Sequence, residues 1–175
     1  MLARSLTRRE PLVQPVNDWV HHGVRSVLLA NEITDGAKIR RLIDLARHAE
    51  VMACVHNEKI VDEIARTSAI RQTPVSVLVE FDVGVHRCGV PPGEFAVRLA
   101  RPAVQKGLRF RGLKGYEGQV ARKLPGPEKE QAAAAANRAL VETRLEKPEL
   151  RAGRPDGERY AGAFHAQADG GARNH

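Results

Sequence analysis

Four apolar runs, at residues 24–30, 51–55, 75–81 and 108–113, punctuate the first two thirds of the chain. The first and third are almost continuously apolar, which predicts strands covered on both faces, as in a parallel sheet. Between the runs the apolar period becomes helical. Ile39, Leu42, Ile43, Ala46 and Ala49 form one stripe, with Asp35 placed to cap its start. Ile60, Val61, Ile64 and Ala65 form a second stripe behind Asn57, and that helix must end before Pro74. Phe95, Ala96, Leu99, Ala100, Ala103 and Val104 form a third, and Gly107 follows where a helix stop is expected. Strand starts thus recur about every 24 to 33 residues with a helix in each gap, the length of a βα unit. The fold class expected is α/β, built of parallel βα units. Periodicity alone leaves open whether they form an open sheet or an arc of a barrel.

The pattern changes outside this region. Residues 128–145 predict a helix containing five consecutive alanines, 132–136. Residues 147–175 hold glycine, arginine, proline and aspartate with hardly an apolar cluster, and are expected to be a disordered tail. Residues 1–22 are expected to be irregular, so the folded domain is placed at 23–146.

Composition narrows the classes. A length of 175 residues suits one domain and falls short of the roughly 250 of a complete eight-unit barrel. The net charge of +7 permits an anionic partner, yet the 28 basic residues are dispersed among 21 acidic ones without a stripe, which argues against nucleic acid. No apolar run is long enough to span a membrane. Cys54 and Cys88, far apart, fit a reduced compartment, and a cytoplasmic location is expected.

Chemistry in parallel α/β proteins gathers after the C-terminal ends of strands. Three such segments are polar. Asn31-Glu32 follows the first strand, as pocket residues or turn formers. Residues 80–89 follow the third. There Glu80 and Asp82 share a face by period two, Gly84 permits a turn, and Arg87 offers a fork of donors, for a ligand or an ion-pair network. His86 is expected to point into solvent or pack locally. The third is the glycine-flanked loop 112–118 with Lys114, Tyr116 and Glu117. The seven histidines lack ligand spacing, and no metal is expected. Nucleotide loops and nucleophile elbows are absent from the sequence.

Three runs carry a resemblance: VLLANEI at 27–33, VLVEFDVGVHRCGV at 77–90 and GLKGYEG at 112–118. In this order they resemble the central strands of the D-threonine aldolases and D-serine dehydratases, a branch of the alanine-racemase-like proteins that bind pyridoxal phosphate in a TIM-like (β/α)8 barrel. The resemblance implies an incomplete barrel of that kind and three cofactor-binding positions. Arg87 would approach the phenolic oxygen, Tyr116 would lie by the pyridine ring, and Asn31 would line the pocket. It implies a D-amino acid substrate, cleaved by retro-aldol reaction to glycine and an aldehyde. The lysine strand, the phosphate cradle and the metal-bearing C-terminal domain of that family are not recognised in this sequence. A truncated chain, inactive alone and paired with a complementary fragment or a second copy, is therefore expected. A dehydratase-like or racemase-like protein, or a non-enzymatic interaction remnant, stands as the alternative. Against the family pattern, Val85-His86 replace methionine and glycine, Lys114 replaces glutamine, and Gln119 replaces a histidine.

Overall fold

The computed structural model describes residues 13–121 and 123–146. Its centre is one four-stranded parallel sheet, β1 Ser26–Leu29, β2 Glu50–Val55, β3 Ser76–Phe81 and β4 Arg109–Gly115, in the spatial order β1-β2-β3-β4. The connecting helices are α2 Gly36–Leu45, α3 Glu58–Ile70 and α4 Glu94–Gln105, preceded by α1 Val13–His21 and followed by α5 Gly118–Ala121 and α6 Pro127–Glu146. The strands stand in chain order, without the reversal that marks a doubly wound sheet. The helices α1 to α4 pack in series against one face. Chain-order parallel strands with their helices on one side form an arc of a (β/α)8 barrel, which resolves the ambiguity left by periodicity.

The local signals act as their chemistry requires. Asp35 accepts a hydrogen bond from Lys38 N at 2.9 Å and Asn57 accepts one from Ile60 N at 3.0 Å, capping α2 and α3. Ile39, Leu42 and Ile43 of α2, Val61 and Ile64 of α3, and Ala96, Leu99 and Ala103 of α4 are buried on Val27, Val51, Val77 and Val79. Alternate strand residues face the other way. Leu28, Met52, Cys54 and Leu78 make a small second apolar cluster on the inner side of the arc.

Helix α1 lies inside the segment expected to be irregular. Val16 and Val20, one turn apart, are buried in the main core and seat α1 beside α2. Val13, Val16 and Val20 stand at helical spacing with Trp19 beside them, a signal present in the sequence but little more than two turns long and interrupted by Pro15. The expected tail, 147–175, lies outside the described residues.

One irregularity positions the site. Val77 pairs with Phe110, but Leu78 pairs with Gly112, so Arg111 is an extra residue in β4. Gly112 has φ +125°, a backbone region that side chains disfavour. Because side chains alternate, one added residue exchanges the two faces beyond it. Leu113 therefore turns to the helix-covered core beside Val79, and Lys114 turns inward opposite Glu80. The strand runs on through Lys114 and Gly115, two residues past the expected end at 113 and into the glycine-flanked segment.

Candidate functional site at the strand ends

The inner face of the arc has three tiers. At the N-terminal ends of the strands, Arg111 bonds Ser76 Oγ at 3.2 Å and pairs with Glu50, which also accepts from Ser26 at 3.4 Å. The four-residue apolar cluster occupies the middle. The C-terminal tier is polar again and contains the candidate site.

Its centre is the Glu80–Lys114 pair. Glu80 is 2% exposed, and Lys114 is the one buried lysine among the described residues. Lys114 Nζ donates to Glu80 Oε1 at 2.6 Å and to the Ala30 carbonyl at 3.3 Å. The Cys88 thiol donates to the same Glu80 oxygen at 3.3 Å, while Glu80 Oε2 is buried with no hydrogen-bond partner. Glu80 was grouped in sequence with Asp82 and Arg87, but its cation is Lys114.

Asp82 has already left the strand. Its Oδ1 accepts from Gly84 N at 2.8 Å and His86 N at 3.0 Å, and its Oδ2 lies 2.7 Å from His86 Nδ1. Burial works to raise its carboxyl, but these donors outweigh it and hold the group below its ordinary range. His86 is spent on this local turn, as its position implied. The turn aims Arg87 back across the strand ends, where its guanidinium carbon lies 5.0 Å from the centroid of the Tyr116 ring. Lys114 Nζ lies 5.6 Å from the same centroid.

The cleft beneath Tyr116 is a small, solvent-open depression lined by Glu80, Phe81, Asp82, Val85, Arg87 and Cys88 together with that tyrosine. Two of the three expected cofactor positions, Arg87 and Tyr116, thus meet in one cleft. Asn31, just beyond β1, is not among its lining residues. Its neighbour Glu32 reaches the polar tier instead, with Oε1 2.5 Å from His56 Nδ1. Burial, opposed by His56, pushes the Glu32 carboxyl above its ordinary value.

Sequence reasoning placed Lys114 on a strand-end loop, as the one lysine that could reach a cofactor there, and treated Cys88 and His56 as a structural thiol and a stray histidine. Period two placed His56 on the inner face of β2, and that signal was available. The other two required the bulge and the 80–89 turn. Donor atoms of Glu32, Glu80 and Cys88 lie within 4.8 Å of one another, a spacing that could accommodate a metal ion, although the Lys114 ammonium already supplies positive charge there.

Comparison with known proteins bears on the family and the fold. The family described as alanine racemase, N-terminal domain, matches residues 21–153. A D-threonine aldolase of Arthrobacter sp is 34% identical over 103 residues, which is 58% of this chain and 27% of the relative. A 3-hydroxy-D-aspartate aldolase of Paracoccus denitrificans is 32% identical over 120 residues, 66% of this chain and 31% of the relative. The crystal structure of D-threonine aldolase from Filomicrobium marinum superposes with a TM-score of 0.76 at 30% identity, covering 82% of this chain and 38% of that one. A D-threo-3-hydroxyaspartate dehydratase from Delftia sp. HT23, at 18% identity and a TM-score of 0.65, shares the fold. The chain spans about 30% of the length of the two curated relatives.

Proposed function

Because the chain belongs to the alanine racemase N-terminal domain family, we propose that its strand-end cleft forms one wall of a pyridoxal phosphate pocket serving retro-aldol cleavage of a D-3-hydroxy amino acid, D-threonine first. The observation that carries this reading is the placement of Arg87 and Lys114 over one Tyr116 ring at the C-terminal ends of parallel strands.

The residues present fit one edge of such a group. A pyridine ring with an ionised phenolic oxygen needs a flat surface and a donor fork at that oxygen, and Tyr116 and Arg87 supply them. The ring of Tyr116 lies where a side chain at position 118 would stand, since a Cβ on Gly118 would be 2.4 Å from Tyr116 Cε1. The depression has room for little more than a water molecule, far short of the roughly 300–1,000 Å³ of a complete small-molecule site, so these residues would form at most one wall of a pocket.

Pyridoxal phosphate, when bound, supplies the electron sink for the bond that breaks. Arg87 would donate to the phenolic oxygen and keep it ionised. Tyr116 would cover one face of the ring and keep water from it, and Asn31 would border the mouth. The test is equilibrium dialysis of pyridoxal phosphate against the chain and its Arg87→Met variant. Saturable retention, weakened about 10- to 100-fold by loss of a charge-assisted hydrogen bond, is expected. No retention, or equal retention by both proteins, refutes the cofactor reading. D-threonine is expected to perturb the absorbance of the retained cofactor and L-threonine is not; equal responses would remove the D-amino acid from the proposal.

A further inference from the structure

Glu32, just beyond β1, meets Glu80 of β3 and Cys88 of the following turn so closely that their donor atoms lie within 4.8 Å of one another. Nearness of acids alone does not make a site. The second observation is Glu80 Oε2, on a side chain 2% exposed, which has no hydrogen-bond partner among the described residues although Oε1 has two. A buried anionic oxygen left open is costly unless something positive completes it. Lys114 does not, since its ammonium is directed to Oε1 and to the Ala30 carbonyl.

Geometry and charge define what fits. A tetrahedral ion with bonds of about 2.0 Å to oxygen and about 2.3 Å to sulfur sets its donors about 3.5 Å apart. Cys88 Sγ already stands 3.3 Å from the nearer Glu80 oxygen, and the widest pair of the cluster has to close by only about 1 Å to reach that spacing. Glu32 is held in place for this. Asn57 spends its Oδ1 on Ile60 N, so its Nδ2 faces His56 Nε2 at 3.0 Å and the ring proton belongs on Nδ1, 2.5 Å from Glu32 Oε1. Two carboxylates and a Cys88 thiolate against one Lys114 ammonium leave two negative charges, the charge a divalent cation balances. Glu80 and Cys88 also line the solvent-open depression, which is too small for an organic ligand but gives an ion an entry path and a place for one water.

We propose that Glu32, Glu80 and Cys88 form a binding site for a thiophilic divalent cation, zinc foremost, with water from the depression completing its coordination. The Cys88 thiol gives its proton to solvent and its sulfur an electron pair to the ion, and nothing is oxidised. The thiolate selects against magnesium and calcium, which take oxygen donors in larger number. The expectation of no metal rested on histidine spacing, and this donor set contains no histidine.

The test uses the full chain without pyridoxal phosphate, so its result stands apart from the cofactor reading. Equilibrium dialysis against zinc, and separately magnesium, measures retention, and cobalt(II) reports its donors through sulfur-to-metal charge-transfer absorption. Retention of a single zinc per chain, no comparable retention of magnesium, and a charge-transfer band are expected. Cys88→Ser should abolish the band and weaken zinc binding by at least about 100-fold, and Glu32→Gln should weaken it by about 10-fold or more. Cys54→Ser, and the double variant His21→Ala with His22→Ala, should bind as the parent does. Circular dichroism checks folding, and if Cys88→Ser does not fold, the cobalt spectra of the parent and of Cys54→Ser decide. Absence of the band from the parent, its loss in Cys54→Ser, equal zinc retention by a folded Cys88→Ser, or loss of retention with the histidine pair overturns the proposal.

Discussion

Lys114→Met is the sharpest test of the inner-face electrostatics. The substitution keeps a chain of similar length but removes the ammonium 2.6 Å from Glu80 Oε1. Glu80, 2% exposed, would keep only the Cys88 thiol at 3.3 Å among its described donors, and its second oxygen is already without one. Removing one partner of a buried ion pair costs about 3–5 kcal/mol, because the remaining charge has neither water nor a counter-ion. Against a total of about 5–15 kcal/mol for a domain, that is about a fifth of the stability or more. At about 3 °C per kcal/mol for an ordered region of this size, the melting temperature should fall by about 10–15 °C. Urea titrations followed by circular dichroism measure the loss. The double variant Glu80→Leu with Lys114→Met should recover most of the deficit, since an apolar pair of similar volume often replaces a buried ion pair without loss. A single variant that loses less than about 1 kcal/mol at neutral pH would refute the reasoning.

Three further outcomes follow from the same geometry. Burial raises the Glu32 carboxyl, so the folded chain holds that proton more tightly than the unfolded one; the resulting stability is complete below about pH 4 and lost as pH rises through the folded value. Glu32→Gln should flatten that decline in a series of urea midpoints from pH 4 to 7, and a steeper decline would contradict it. Gly89→Ala should destabilise by roughly 2–5 kcal/mol, because φ is +97° and the new Cβ would stand 2.7 Å from Phe81 C; thermal melts within about 1 °C of the parent would disprove this. Cys54, whose thiol burial pushes up to about 12, should resist iodoacetamide at pH 8 in the folded chain and react once urea is added, as read by intact mass.

Strands and caps were legible because their causes are local. A parallel strand covered on both faces must be an apolar run, and Asp35 and Asn57 each cap a helix whose stripe begins a few residues later. Helix α1 was overlooked although Val13, Val16 and Val20 stand at helical spacing, because the stripe covers little more than two turns and holds Pro15. In the candidate site, Arg87 and Tyr116 could be named from motifs, and the turn that aims Arg87 follows from Asp82 and Gly84. Lys114 could not be placed, because its face depends on the extra residue at Arg111, and a bulge leaves no periodic mark beyond a glycine. Its pairing with Glu80 joins residues 34 apart and exists only in the register of β3 with β4.

The chain-order arrangement of the strands also sets the order of assembly. Each parallel pairing joins segments close in sequence, Ser26 with Glu50, Met52 with Ser76 and Ser76 with Arg109, so each closes a loop of similar, modest length. Folding can therefore start at any βα unit and spread to its neighbours, as in a linear array. The polar bonds of the inner face reach further. Arg111 to Glu50 spans 61 residues and Lys114 to Ala30 spans 84, and each needs several strands already in place. Barrel-like secondary structure should form first during refolding, and the charge network at the strand ends should lock last.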